Sequence, residues 1–302
     1  MRDDFLIQIF CLVDDFCKEF EPAWKTCLLA SLAPDADTRN KRSPNLTMGE
    51  IMTITIYFHH SKFRTFKDYY EILMSGSLRK YFPGLPSYSR FISLMKRGVF
   101  PLFVFLQGLL GKCDGLSFID STILTVCHVR RISSHRVFRK MAKRGKTSTG
   151  WFFGFKLHLV INDRGEILAF MFTSGNVDDR KPVPFLLEGF QGKCIGDKGY
   201  LSNKLFAELW EKGVQLVTRL RKGMHNKLMS FWDRLLLRKR GLIESVHHRL
   251  KNGCQIEHHR HRSPWNFLVN LLSGLICYCQ DPRKPSLRLR KKDMVLIEAL
   301  AA

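Results

Sequence analysis

Three acids in this chain stand where a carboxylate could do chemistry. Asp120 interrupts the apolar run Leu116-Ser-Phe-Ile-Asp120-Ser-Thr122, and an ionised side chain inside such a run is costly unless it is paired or meets a cation. Asp197 follows Ile195-Gly196 and precedes Lys198-Gly199-Tyr200, so the backbone turns sharply at the end of a strand, the edge where α/β sheets gather ligands. Glu244 lies in Arg238-Lys-Arg-Gly-Leu-Ile-Glu244-Ser-Val-His-His-Arg-Leu-Lys251, which reads as a helix. At about 100° per residue, Glu244 and Lys251 fall within roughly 20° of each other, with Arg240 one turn before Glu244. Leu242, Ile243, Val246 and Leu250 supply the apolar side. Singly, each acid also fits an ordinary role: a strand-end cap, a turn aspartate, a solvated salt-bridge stripe. Together they make an all-carboxylate set that suits Mg²⁺ or Mn²⁺. Two such ions about 3.5–4 Å apart support phosphoryl transfer, with the basic residues beside Glu244 on the scissile phosphates. Convergence requires the first and fourth strands of the chain to be adjacent and parallel.

The elements that must bring them together fall into two parts. Residues 1–113 read as all-helical: an amphipathic helix over Asp3–Leu29 with Phe5, Ile9, Leu12, Phe16 and Phe20 one to a turn, then a helix opened by the capping box Thr47-x-x-Glu50. Shorter helices follow at 66–73, 87–97 and 101–110. The helix at 87–97, with Arg90 and Arg97 seven apart, fits either the second helix of a helix-turn-helix or a bundle with a cationic surface. Residues 114–281 read as α/β, with strands at 116–126, 151–161, 166–173, 193–196 and 214–220 and helices at 182–190 and 203–212 before the helix of Glu244. That order predicts a mixed five-stranded sheet with a leading antiparallel meander, flanked by helices. A last apolar helix, Trp265–Cys279, is assigned to this domain. Residues 282–302 form a basic tail.

Lys and Arg number 49 against 27 Asp and Glu, a net charge of +22, which points to a polyanionic partner, nucleic acid first. From Ser121 to Asn162 no acid occurs, while Arg130, Arg131, Arg136, Arg139, Lys140, Lys143, Arg144, Lys146 and Lys156 do. Cations beside a metal site would track a DNA backbone with salt-dependent affinity. Trp151, Phe152 and Phe153 fit either stacking on unpaired bases or a core. Nine cysteines without a Cys-x-x-Cys pair fit free thiols in a reducing cytoplasm. Cys254 with His258, His259 and His261 lacks the spacing of a zinc site. No apolar run reaches the roughly 18 residues of a membrane span, and Met1-Arg-Asp-Asp carries no secretory signal pattern.

With these residues in view, the chain resembles the DDE transposases of bacterial insertion sequences. The matching segments are Phe118-Ile-Asp120-Ser-Thr122, Gly175-Asn-Val-Asp-Asp179, Ile195-Gly-Asp197-Lys-Gly-Tyr200 and Arg240-x3-Glu244-x6-Lys251. The last is the tail of a Tyr-x2-Arg-x3-Glu-x6-Lys signature, with Leu237 in place of the tyrosine, and up to about Pro285 the chain is similar to the insertion-sequence family nine-eighty-two. The resemblance implies an RNase H-like core in which Asp120, Asp197 and Glu244 bind two Mg²⁺ or Mn²⁺ ions, with Arg240 and Lys251 on DNA. It implies cutting at terminal inverted repeats and attack of the freed 3′-hydroxyl on target DNA, by a homodimer in the synapse. Asp178 and Asp179 are rival acids, read instead as caps for a helix beginning near Arg180. A metal-dependent nuclease without strand transfer, and an inactive DNA-binding remnant, are the alternatives.

Overall fold

The computed structural model describes residues 2–31, 46–147, 150–219, 229–257 and 261–287. The segment 34–44 with Lys41 and Arg42, Leu220, the pair His258 and His259, and the tail beyond 287 lie outside the described residues. All nine cysteines are free. Two compact units emerge, Met1–Leu109 with Leu250–Gln280, and Leu110–Arg249 with Asp281–Ala302.

The first unit is helical. Its α1 (Arg2–Ser31) and α2 (Met48–Ser61) pack together, and α2 opens on the expected capping box: the Glu50 N–H donates to Thr47 Oγ1 at 3.1 Å and the Thr47 N–H to Glu50 Oε2 at 2.7 Å. The buried stripe of α1 is Leu6, Ile9, Val13 and Cys17, whereas Leu12 is 40% exposed, so the inward face is rotated from the aromatic one that periodicity suggests. After α3 (Phe66–Asp68) and a π-helical turn over Tyr69–Ser77 come α4 (Tyr88–Met95) and α5 (Val99–Gly108). Contrary to the sequence reading, Tyr88–Gly108 is one continuous helical stretch long and apolar enough, by composition, to cross a membrane. It buries Phe91, Leu94, Met95, Leu102, Phe105 and Leu106. The last helix, α10 (Pro264–Cys279), packs on α2 and α5 rather than with the α/β unit to which the sequence assigned it. Its residues from Phe267 to Tyr278 are almost all buried, and a helix without a polar face needs cover on every side.

The second unit is built on one mixed sheet. β1 (Leu116–Cys127) pairs antiparallel with β3 (Gly150–Ile161) on one side and parallel with β5 (Gly192–Gly196) on the other, and β6 (Val214–Thr218) continues parallel beside β5. The far edge of β3 is shared: β2 (Lys143–Thr147) pairs with Gly150–Gly154 and β4 (Ile167–Ser174) with Phe155–Ile161. The sheet has six strands rather than five, an antiparallel meander continued by two parallel strands, mixed and flanked by helices as expected. The additional strand is β2, whose sequence Lys-Arg-Gly-Lys-Thr has no apolar alternation to betray it. On one face Ile119, Val160 and Cys194 pack with Leu186 of α6 (Val183–Leu186) and with Leu205 and Leu209 of α7 (Asn203–Glu211). Against the sheet also lie α8 (Phe231–Lys239), which meets β5 and β6, and α9 (Gly241–His248), which meets β1. A Lys193–Asp233 pair at 2.6 Å ties β5 to α8.

Two glycines let β2 press on the loop after β4. A Cβ at Gly145 would lie 2.2 Å from the Gly175 carbonyl oxygen, and one at Gly175 2.8 Å from that of Lys143. Gly145→Ala therefore has to shift backbone, and we expect a loss of about 1–3 kcal/mol, read as a lower urea midpoint with an unchanged slope.

Candidate active site

β1 and β5 run parallel with Leu116, Ser117 and Phe118 level with Lys193, Cys194 and Ile195. Carrying that register two residues further sets Asp120 level with Asp197, on strands spaced about 4.8 Å apart. Side chains alternate along a strand, so Phe118 and Asp120 point away from the face that Ile119 buries against α6 and α7. The α9 helix meets β1 there, and its N-cap Arg240 and His247 in its last turn reach Asp120, while Glu244, four residues after Arg240, pairs with that arginine. One guanidinium spans two acids: Arg240 stands 3.7 Å from Asp120 Oδ2 and 2.5 Å from Glu244 Oε1. His247 Nδ1 lies 3.8 Å from Asp120 Oδ2.

Asp120 is the stressed member. Its pKa is pushed up to about 6, first by burial, with Asp197 and Glu244 adding repulsion, while the Ser121 backbone N–H and Arg240 pull the other way. Tyr200, in the turn after Asp197, is buried near Asp120 and Asp179, and burial drives its phenol well above the usual range. Among the described residues no three His, Cys, Asp or Glu side chains form a ready metal cage. The donor set nevertheless fits a hard divalent cation: oxygen ligands only, one of them short of counter-charge. Asp120, Asp197 and Glu244 are the residues that would hold it.

The other expected site residues are dispersed. Arg130, Arg131, Arg139 and Lys146 are exposed on the α/β unit, and Arg90 and Arg97 on the helical unit. Arg240, read as a DNA contact, is only 20% exposed and engaged with the acids. Lys251 belongs to the helical unit and pairs with Glu257 at 3.0 Å. A π-helical turn over Arg249–Gly253 follows α9, so the seven-residue phase from Glu244 does not carry through to it. Leu237, at the signature's tyrosine position, is a core residue. Cys254 is buried, outside any metal cluster among the described residues.

The rival acids separate. The helix begins only at Val183 with Pro182 at its N-cap, so neither acid caps it; Asp178 instead accepts from the Arg180 backbone and guanidinium in the preceding turn. Asp179 accepts from Ser121 Oγ at 2.9 Å and Lys156 Nζ at 3.0 Å. That link between Asp179 and the residue after Asp120 was missed in the sequence, as was His247. For His247 a signal existed, since it sits three residues after Glu244 on the same helical face.

With this geometry in place, residues 110–264 match the family described as Transposase DDE domain. The chain belongs to that DDE transposase family. No curated protein matches it. Among solved structures, this DDE transposase chain is similar to a piggyBac transposase in a synaptic complex with hairpin DNA, at 14% identity and a TM-score of 0.36, over 64% of this chain and 48% of that one. It thus spans about half the length of that structure.

The raised Asp120 pKa fixes a sign. Between roughly pH 4, where an unfolded aspartate titrates, and pH 6 the folded protein holds the extra proton. Stability from this group therefore falls as pH rises through that window, and the full penalty stands above it. Asp120→Asn removes the charge and keeps the acceptor for the Ser121 N–H. We expect the metal-free variant to be more stable than wild type at pH 8, by up to about 3 kcal/mol, and equal to it near pH 4. Calorimetric melting at the two pH values reads this directly.

Proposed function

We propose that the chain is the transposase of an insertion sequence, of the branch called nine-eighty-two, which cuts DNA at the element's terminal inverted repeats and joins the freed 3′-hydroxyl to target DNA. What carries this reading is the parallel pairing of β1 with β5, whose register, continued two residues past Phe118 and Ile195, leads to Asp120 and Asp197, with Glu244 joined to Asp120 through Arg240. In this reading the three acids hold two Mg²⁺ or Mn²⁺ ions, which when bound activate the attacking hydroxyl and stabilise the leaving oxygen. No covalent link between protein and DNA is required.

The chain's own residues supply the rest. Asp120, repelled by its neighbours, gains most from a cation. Arg240, already between the carboxylates, is within reach of a phosphate brought to them and has the planar fork to hold it. Arg130, Arg131, Arg139 and Lys146 lie on a stretch without acids and suit a sequence-independent grip on the backbone. Lys251, and Arg90 and Arg97 on the helical unit, are proposed contacts to the element's ends. Two ends must be joined, so the working form is taken to be a homodimer, acting in the cytoplasm.

Asp120→Asn, Asp197→Asn and Glu244→Gln are each expected to lower Mg²⁺-dependent cutting of end-bearing DNA by about 1,000-fold or more, with DNA affinity within about twofold of wild type. Strand transfer at the wild-type rate by any one of them refutes the assignment. A joined donor–target product that disappears when the 3′-hydroxyl is blocked separates a transposase from a nuclease. Tight binding with no divalent-dependent cutting would mark a DNA-binding remnant.

A further inference from the structure

β1 and β3 reach well beyond the strands that pair in parallel. β1 pairs with β5 only from Leu116 to Phe118, whereas its antiparallel ladder with β3 runs on to Cys127 and Phe153. β2 then continues along β3 to Gly150. The result is an antiparallel arm that projects past the strand end where Asp197 sits, on the side where α/β sheets gather ligands. Its faces can be traced residue by residue, because directly opposed partners share a face and neighbours along a strand alternate. Asp120 opposes Leu159, so Leu157, Phe155, Phe153 and Trp151 lie on its face, with Arg144 opposite Phe153 and Lys146 opposite Trp151. The irregularity in this ladder between Thr125 and Cys127 falls on β1 and leaves the alternation of β3 intact. The contacts agree. His135 and Phe138 meet the rings of Phe153 and Phe155, while the Phe152 ring lies against Gly145 and Gly175 on the opposite face. Trp151, Arg144 and Lys146 thus stand at the far end of the sheet face that carries Asp120.

The end of the arm holds positive charge in place. The Arg144 guanidinium stands 4.2 Å from the centre of the Trp151 ring and Lys146 Nζ 5.6 Å from it. All three residues are exposed, and among the described residues neither cation is in an ion pair. No acid occurs from Ser121 to Asn162 to supply one from the arm itself. An aromatic ring restrains a cation without neutralising it, whereas a carboxylate would do both. Ordered cations with undiminished charge on an exposed strand surface suit a phosphate backbone. Trp151 and Leu159 are eight residues apart on β3, a span of about 27 Å that strand twist shortens to roughly 25 Å. Successive phosphates of one DNA strand advance about 3.4 Å along the helix axis, so that span covers about seven base pairs. We propose that Arg144 and Lys146, held by Trp151, grip a DNA duplex about seven base pairs from the phosphate cut at Asp120 and Asp197, a second contact that sets how much flanking DNA the protein needs. The proposal rests on the DNA-cutting reading for the identity and register of the duplex.

Two measurements test it. Affinity is read by fluorescence anisotropy with a long labelled end-bearing duplex, in EDTA so that cutting plays no part. Arg144 is exposed and Trp151 is 51% exposed, so the variants should melt as wild type does. Arg144→Ala is expected to weaken binding roughly tenfold and to lower the slope of log affinity against log salt by about one. Trp151→Ala keeps both charges, so it should weaken binding about threefold at an unchanged slope, and Trp151→Phe, which keeps a ring beside the cations, should restore most of that loss. Position is read by cutting in Mg²⁺. With about 12 base pairs on each side of the cut, kcat/KM of Arg144→Ala is expected to fall about tenfold through KM, and with about four on each side the deficit should shrink to within about twofold. Wild-type affinity and slope in Arg144→Ala would overturn the proposal. A deficit of equal size on both duplexes would also overturn it, by placing the contact at the acids. Arg144-dependent binding by a wild-type protein that never cuts the duplex in Mg²⁺ would support the phosphate grip while removing the transposase reaction.

Discussion

Like charges held close by backbone register are the constraint on which this molecule turns. Once β1 and β5 pair in parallel with Phe118 beside Ile195, the chain that follows brings Asp197 close enough to act on the charge of Asp120, and α9 adds Glu244. Partial burial deprives Asp120 of water, and the two neighbouring carboxylates oppose its ionisation, so its pKa rises toward neutrality. Arg240 offsets part of this with a single positive charge shared between two acids. A fold that maintains such repulsion favours whatever brings more positive charge to those oxygens, which is the physical basis of the proposed divalent-cation site.

The remainder of the α/β unit keeps that arrangement from relaxing. Ile119 and Cys194, one residue out of phase with the acids, are buried against α6 and α7, so neither strand can rotate without exposing core. The Lys193–Asp233 pair holds β5 to α8. The Asp179–Lys156–Ser121 contacts fix β1 just past Asp120 from the side of β3.

Much of this was legible in the residues because strands and helices have fixed periods. Asp120 inside an apolar strand, Asp197 at a glycine-flanked strand end and Glu244 on an amphipathic helix each announced an element, and five of the six strands followed from apolar runs and turns. What escaped was decided by tertiary partners. β2 is a strand only because β3 offers it an edge, and α10 joined the helical unit because an apolar helix is indifferent to which core covers it. The inward face of α1 is the Leu6–Ile9–Val13–Cys17 stripe, one residue away from the larger aromatics that dominated the pattern. Arg240 was read as a DNA contact or a member of a solvated salt-bridge stripe with Glu244, since a sequence gives spacing along one helix but not Asp120, which stands across a sheet edge. Of Trp151, Phe152 and Phe153, alternation exposes the first and buries the second, yet Phe153 is buried as well, a matter of its packing rather than of period.

The central claim is that Asp120, Asp197 and Glu244 act as one cation-binding set. Titration of the full chain with Mn²⁺, followed by electron paramagnetic resonance, tests it without reference to any DNA reaction. The account predicts saturable binding to wild type that is lost or weakened at least tenfold in Asp120→Asn, Asp197→Asn and Glu244→Gln alike, at unchanged fold by circular dichroism. Binding that is indistinguishable from wild type in any one of the three would contradict it.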